Sequence, residues 1–146
     1  MSPAARPQRA PRPKAGRAAL QGVIDGARFI RFYGFRVLRV GDGACTLELP
    51  HRKSLERPGG IVNGPSLMAA ADCAMWLAIK ARFGVEFDAL TSELTTAFLA
   101  PAKAEHVYCT ARILKAGRRR IYGTAECHSR TGRLFTHHTV TYIRPE

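Results

Sequence analysis

Paired cysteines are missing from this sequence. Cys45, Cys73, Cys109 and Cys127 stand far apart with no C-x-x-C spacing among them. Without pairing, and with no secretory signal read at its start, the chain is expected in a reducing cytoplasm. All four thiols are then expected to pack as small apolar side chains. Long hydrophobic runs are missing too, since none reaches the ~20 residues of a membrane span, so no membrane partner is expected. Acids are scarce: 11 stand against 23 Lys and Arg, a net charge of +12. Residues 1–18 hold Arg6, Arg9, Arg12, Lys14 and Arg17 without one acid, which is +5, and the remaining 18 basic and 11 acidic residues leave +7. Such a surplus favours anionic partners such as nucleic acid, a membrane surface or a phosphorylated ligand. Gly59-Gly60 is not a phosphate loop, because neither a Walker-type Lys-Ser/Thr nor G-x-G-x-x-G follows it. His51, His106, His128, His137 and His138 show no metal-ligand spacing, and no metal is expected.

Residues 1–18 are rich in Pro, Ala and Arg and show no apolar periodicity. They read as a disordered basic tail. A transit peptide or a nucleic-acid arm has the same composition, but no recognition helix or aromatic-basic motif supports specific nucleic-acid binding. The domain is expected to span residues 19–146, with hydrophobic residues at 46% of the chain. Leu20, Val23, Ile24, Ala27 and Ile30 have helical spacing. Residues 35–40 and 44–50 read as strands around Gly41-Asp42-Gly43, a hairpin signal. Residues 51–63 read as a polar loop. After residue 84 the pattern turns to period two: Leu94, Thr96 and Phe98; then Val107, Cys109, Ala111 and Ile113; then Ile121, Gly123, Ala125 and Cys127; then a last strand, Leu134–Ile143. Clean alternation predicts an antiparallel sheet with one face buried.

Between these strands lies the stretch 60–82, GIVNGPSLMAAADCAMWLAIKAR. From Ser66 to Ile79 only Ser66 and Asp72 are not apolar. Pro65 suits a first helical turn, Ala, Leu and Met favour the helix, and Gly84 ends it with Lys80 and Arg82 in the last turn. A helix apolar on every side must be covered on every side. The fold class expected is therefore α+β, an antiparallel sheet wrapped around one long helix.

A lone carboxylate in such a helix needs a reason. Asp72 is either a satisfied structural group, or a general base or nucleophile tuned by its neighbours. At the helix N-terminus Gly64 offers an N–H that either joins ordinary capping by Asn63 or holds a developing oxyanion. Eight residues separate Gly64 from Asp72, ~12 Å along a helix. To work as a catalytic pair, both groups must lie ~3 Å from one reacting centre. One helix cannot place them there, but two antiparallel copies in a twofold dimer can, each giving its N-terminus to the other's Asp72.

The segment GGIVNGPSLMAAADCAM followed by TSELTTAFLAPA resembles the phenylacetate-pathway (PaaI-type) branch of hotdog-fold acyl-CoA thioesterases, with the likeness running from about residue 34 to 144. The resemblance implies a hotdog fold, a homodimer or a dimer of dimers, and hydrolysis of acyl-CoA with no cofactor beyond the coenzyme A of the substrate itself. It implies Asp72 as the catalytic Asp, Gly64 as the oxyanion glycine and Thr91 as the hydroxyl that positions water or Asp72. The family's His falls on Asn63, its second Gly on Pro65 and its frequent upstream Asn on Arg57. Asn63 can hydrogen-bond a thioester carbonyl or cap the helix, but it cannot take up a proton. A non-catalytic hotdog module that binds acyl-CoA is the alternative that this exchange raises. The turn Gly117-Arg118-Arg119-Arg120 is either a solvated hairpin or, as the resemblance implies, a place where Arg118 and Arg119 meet coenzyme A phosphates. Met68, Met75 and Trp76 are the candidates to line the acyl chain, though for each taken singly helical spacing favours core packing.

Overall fold

The computed structural model describes residues 11–145. Residues 1–10 of the basic tail lie outside the described residues. Within the remainder of that segment the Lys14 N–H donates to the Ala81 carbonyl, Ala15 is buried, and Arg17 opens the first helix. That helix, α1 (Arg17–Asp25), buries Leu20 and Ile24. The helical spacing predicted through Ile30 breaks at Gly26, and the chain resumes as a 3-10 helix, Arg28–Tyr33.

Strands β1 (Arg36–Gly41) and β2 (Ala44–Leu49) form the expected hairpin. The loop expected over 51–63 carries a small ladder, β3 (Glu56–Arg57) with β4 (Ile61–Val62). The central helix α2 runs Gly64–Phe83, and β5 (Leu90–Phe98), β6 (Val107–Ala116), β7 (Arg120–His128) and β8 (Leu134–Ile143) follow. Six of the strands make one antiparallel sheet in the order β1-β2-β6-β7-β8-β5, curved around α2. This is the hotdog fold.

Alternation holds where the helix covers the sheet: Val107, Cys109, Ala111 and Ile113 are buried on β6, and Ile121, Gly123, Ala125 and Cys127 on β7. It fails on β5. That strand is the sheet edge, only Leu94 and Thr96 are half-buried, and Phe98 stays 58% exposed. The same incompleteness shows on α2. Twelve of its 20 residues are buried, but Pro65, Met68, Ala69, Asp72 and Trp76 form a stripe that the chain itself leaves uncovered.

Helix and sheet touch most closely at Gly123. A Cβ there would stand 2.2 Å from the Arg112 carbonyl oxygen and 2.5 Å from Met75 Cε. Gly123→Ala is therefore expected to lower unfolding free energy by about 1–3 kcal/mol through overpacking, read by urea denaturation. At the other end, Asn63 caps α2. Its Oδ1 accepts from Ser66 N–H and Ser66 Oγ, both at 2.9 Å, while its Nδ2 donates to the Leu55 carbonyl at 2.7 Å. Removing both functions in Asn63→Ala is expected to cost about 1–2 kcal/mol, seen as an earlier urea midpoint.

Candidate active site

Asp72 lies on the uncovered stripe of α2, half-buried, at the polar end of a cavity of about 430 Å³. Two hydroxyls converge on one of its oxygens. Thr91 Oγ1, on β5, donates to Asp72 Oδ1 at 2.7 Å. The Tyr142 hydroxyl, on β8, donates to the same Oδ1 at 2.7 Å and to the Asp72 main-chain carbonyl at 2.9 Å. These strands are neighbours, and Thr91 pairs with Tyr142 across the ladder. No described residue donates to Oδ2. The phenol is held as a donor: burial, and then the Asp72 charge, push Tyr142 far above the usual tyrosine range. Beside Asp72, burial likewise drives the Cys73 thiol well up, followed by smaller contributions from Cys45 and Asp72. Cys45 is pushed up to about 12 by burial. All four cysteines are free and buried, and beside the cavity the raised Cys73 thiol stays protonated and is a poor nucleophile.

The far wall of the cavity is aromatic. Phe29 and Tyr33 come from the 3-10 helix and Trp76 from one turn beyond Asp72. The Phe29 and Trp76 rings meet at 5.9 Å between centroids. Trp76 also packs over Lys80, whose Nζ sits 5.3 Å from the ring and donates to the carbonyls of Val85 and Phe87 at 2.7 and 2.8 Å. These bonds fold the loop after α2 back, so that Asp88 reaches the cavity rim.

The first turn of α2 leaves one donor. A helix N-terminus has four N–H positions without an intrahelical acceptor. Asn63 N–H donates to the Leu55 carbonyl, Ser66 N–H goes to the Asn63 side chain, and Pro65 has none. Only Gly64 N–H is left without an acceptor among the described residues. The Phe98 ring lies over this glycine, 3.0 Å from where a Cβ would stand.

The structure thus brings Asp72, Thr91 and Trp76 together, and places the other candidates elsewhere. Asn63 is occupied by capping. Met68 lies on the uncovered stripe but outside the cavity lining. Met75, expected beside the acyl chain, is fully buried on the side of α2 that faces Gly123, because helical geometry turns it away from the Asp72 stripe. Arg118 and Arg119 line a second cavity of about 770 Å³ with Lys115, Arg120, Tyr122 and Ile143. Tyr122 and Ile143 alternate with the inward-facing Ile121 and Tyr142, so this cavity opens on the outer face of the sheet. Tyr142 is the site residue that sequence reasoning missed. The available signal was an inward-facing tyrosine on β8, whose hydroxyl must find a partner in the core.

Residues 59–136 match the family model of the thioesterase superfamily. A solved structure from Silicibacter sp. TM1040, provisionally described as a thioesterase, is 26% identical with a TM-score of 0.82, covering 92% of this chain and 94% of that one. A Thermoplasma acidophilum protein, provisionally named an esterase, is 25% identical over 119 residues, 82% of this chain and 88% of the relative. The Escherichia coli PaaI protein, from the phenylacetic acid degradation operon, shares the fold at a TM-score of 0.78 with 15% identity, over 86% of this chain and 90% of that one. The buried helix, the sheet around it and the matched segment that contains Asp72 lead to one conclusion: this chain belongs to the thioesterase superfamily, whose chemistry is the hydrolysis of thioesters.

Proposed function

We propose that the protein hydrolyses acyl-CoA thioesters to the free acid and coenzyme A, at sites shared across a twofold dimer. The observation that carries this reading is Asp72: one carboxylate on an otherwise apolar helix, facing a cavity, with one oxygen fixed by hydroxyls and the other open. Ionised, it takes a proton from water as the water adds to the thioester carbonyl, or it attacks that carbon itself and water then cleaves the anhydride. Either route builds negative charge on the carbonyl oxygen. The unpaired Gly64 N–H of the partner subunit is suited to receive it, reinforced by the helix dipole. The C–S bond then breaks, and the coenzyme A thiolate leaves and takes up a proton. Water is the sole co-reactant.

Two features support the dimer. Met68, Ala69 and Trp76 on the uncovered stripe, and Leu90 and Phe98 on the exposed edge β5 with Leu99 beyond it, are apolar surface that a second copy would cover. The cations also lie at a useful end of the sheet. Arg120 pairs with Ile143, and Ile143 pairs with Leu90, next to Thr91. A phosphate-bearing carrier held at Arg118 and Arg119 is therefore anchored at the same end of the sheet as Asp72.

Asp72→Asn keeps the shape of the side chain and removes its charge. It is expected to lower kcat/KM by two to four orders of magnitude in a thiol-release assay over short, long and aromatic acyl-CoAs, with the oligomer intact by light scattering. Unchanged turnover contradicts the catalytic role. Tight acyl-CoA binding by the unaltered protein with no thiol released, read by titration calorimetry, identifies a binding module instead.

A further inference from the structure

We propose that Tyr142 is a positioning residue that, with Thr91, reserves Oδ2 of Asp72 as the oxygen that meets the thioester or its water. The inference rests on the reading of Asp72 as the catalytic group. It starts from the bifurcated contact of one phenol: the same hydroxyl spans the Asp72 carbonyl at 2.9 Å and Oδ1 at 2.7 Å. Bridging a residue's main chain to its own carboxylate fixes the side-chain torsion, which a single bond from Thr91 would leave free to swing. Tyr142 is itself only 3% exposed and sits in a ladder between β7 and β5, so the clamp is rigid. Thr91, in contrast, is exposed on the edge strand.

The arrangement divides the carboxylate into two unequal oxygens. Oδ1 accepts two hydroxyl protons and is a weak base. Oδ2 accepts none from the described residues and keeps its lone pairs for the reaction. The two hydroxyl donors therefore aim the carboxylate. Groups facing Asp72 from the surrounding elements are Cys73 on α2, Tyr33 on the 3-10 helix, Asp88 on the loop, and Thr91 and Tyr142 on the sheet. None is a cation. The two hydroxyls are therefore the groups that orient it.

Tyr142→Phe retains the ring and deletes the donor. In the full-length protein, kcat for the acyl-CoA cleaved fastest in the panel is expected to fall about ten- to a hundredfold, with KM changed less than about twofold. Losing a donor to the anion is expected to move the acidic limb of the pH–rate profile to higher pH. The opposite sign is expected for 3-fluorotyrosine placed at position 142, whose more acidic phenol is the stronger donor: the limb moves to lower pH with the fold untouched. Carboxyl NMR of 13C-aspartate-labelled protein, with the Asp72 resonance identified by its loss in Asp72→Asn, reads the same displacement without turnover. An unmoved limb and an unmoved Asp72 titration in both variants overturn the positioning role. If instead Asp72→Asn hydrolyses as fast as the unaltered protein, the catalytic reading falls whatever Tyr142 does.

Discussion

The structure depends on one constraint: a helix apolar all round must be covered, and the single chain covers it on every side but one. The curved sheet buries the sides of α2 that carry Leu67, Ala71, Met75 and Ala78. The remaining stripe holds the only carboxylate of the helix, and that placement makes it usable. Buried under the sheet, Asp72 would be a costly charge with no route to substrate. On a surface helix it would be solvated and unaimed. At the uncovered edge it is half-buried, hydrogen-bonded on one oxygen and open on the other.

The helix start obeys the same economy of donors. Asn63 caps the helix, its amide accepting from Ser66 and donating to the Leu55 carbonyl. This gives the Asn-Gly-Pro sequence a physical meaning. Asn63 satisfies one donor, Pro65 removes another, the Asn63 N–H bonds Leu55, and Gly64 N–H is left over. By its capping bonds Asn63 decides which backbone donor of the first turn stays free.

Much of this was legible in the sequence because the signals were local. The apolar run with Gly84 at its end marked α2, period-two alternation marked β6, β7 and β8, and a lone Asp among alanines marked Asp72. Readings failed where they depended on what lies above or beside a strand. On β5 the alternation survives only as half-burial of Leu94 and Thr96, because the strand lies at the sheet edge, where α2 covers it least. The β3–β4 ladder is two residues per strand, too short for any period. Met75 and Trp76 are adjacent and equally apolar, and only the rotation of the helix puts one on Gly123 and the other in the cavity. Tyr142 is 70 residues from Asp72 in the chain, and nothing local ties the two together.

A site completed by two subunits makes a demand that a self-contained site does not. Gly64→Pro deletes the remaining N–H at a position where proline suits the first helical turn, and Asp72→Asn deletes the carboxylate, so each pure variant is expected to be inactive. Mixed oligomers of the two differently tagged chains should regain about half the unaltered turnover per dimer, because one site joins an intact Asp72 to an intact Gly64 of the other chain. Mixed oligomers that stay as inactive as the parents would show that both groups act from one chain, and would contradict the shared site.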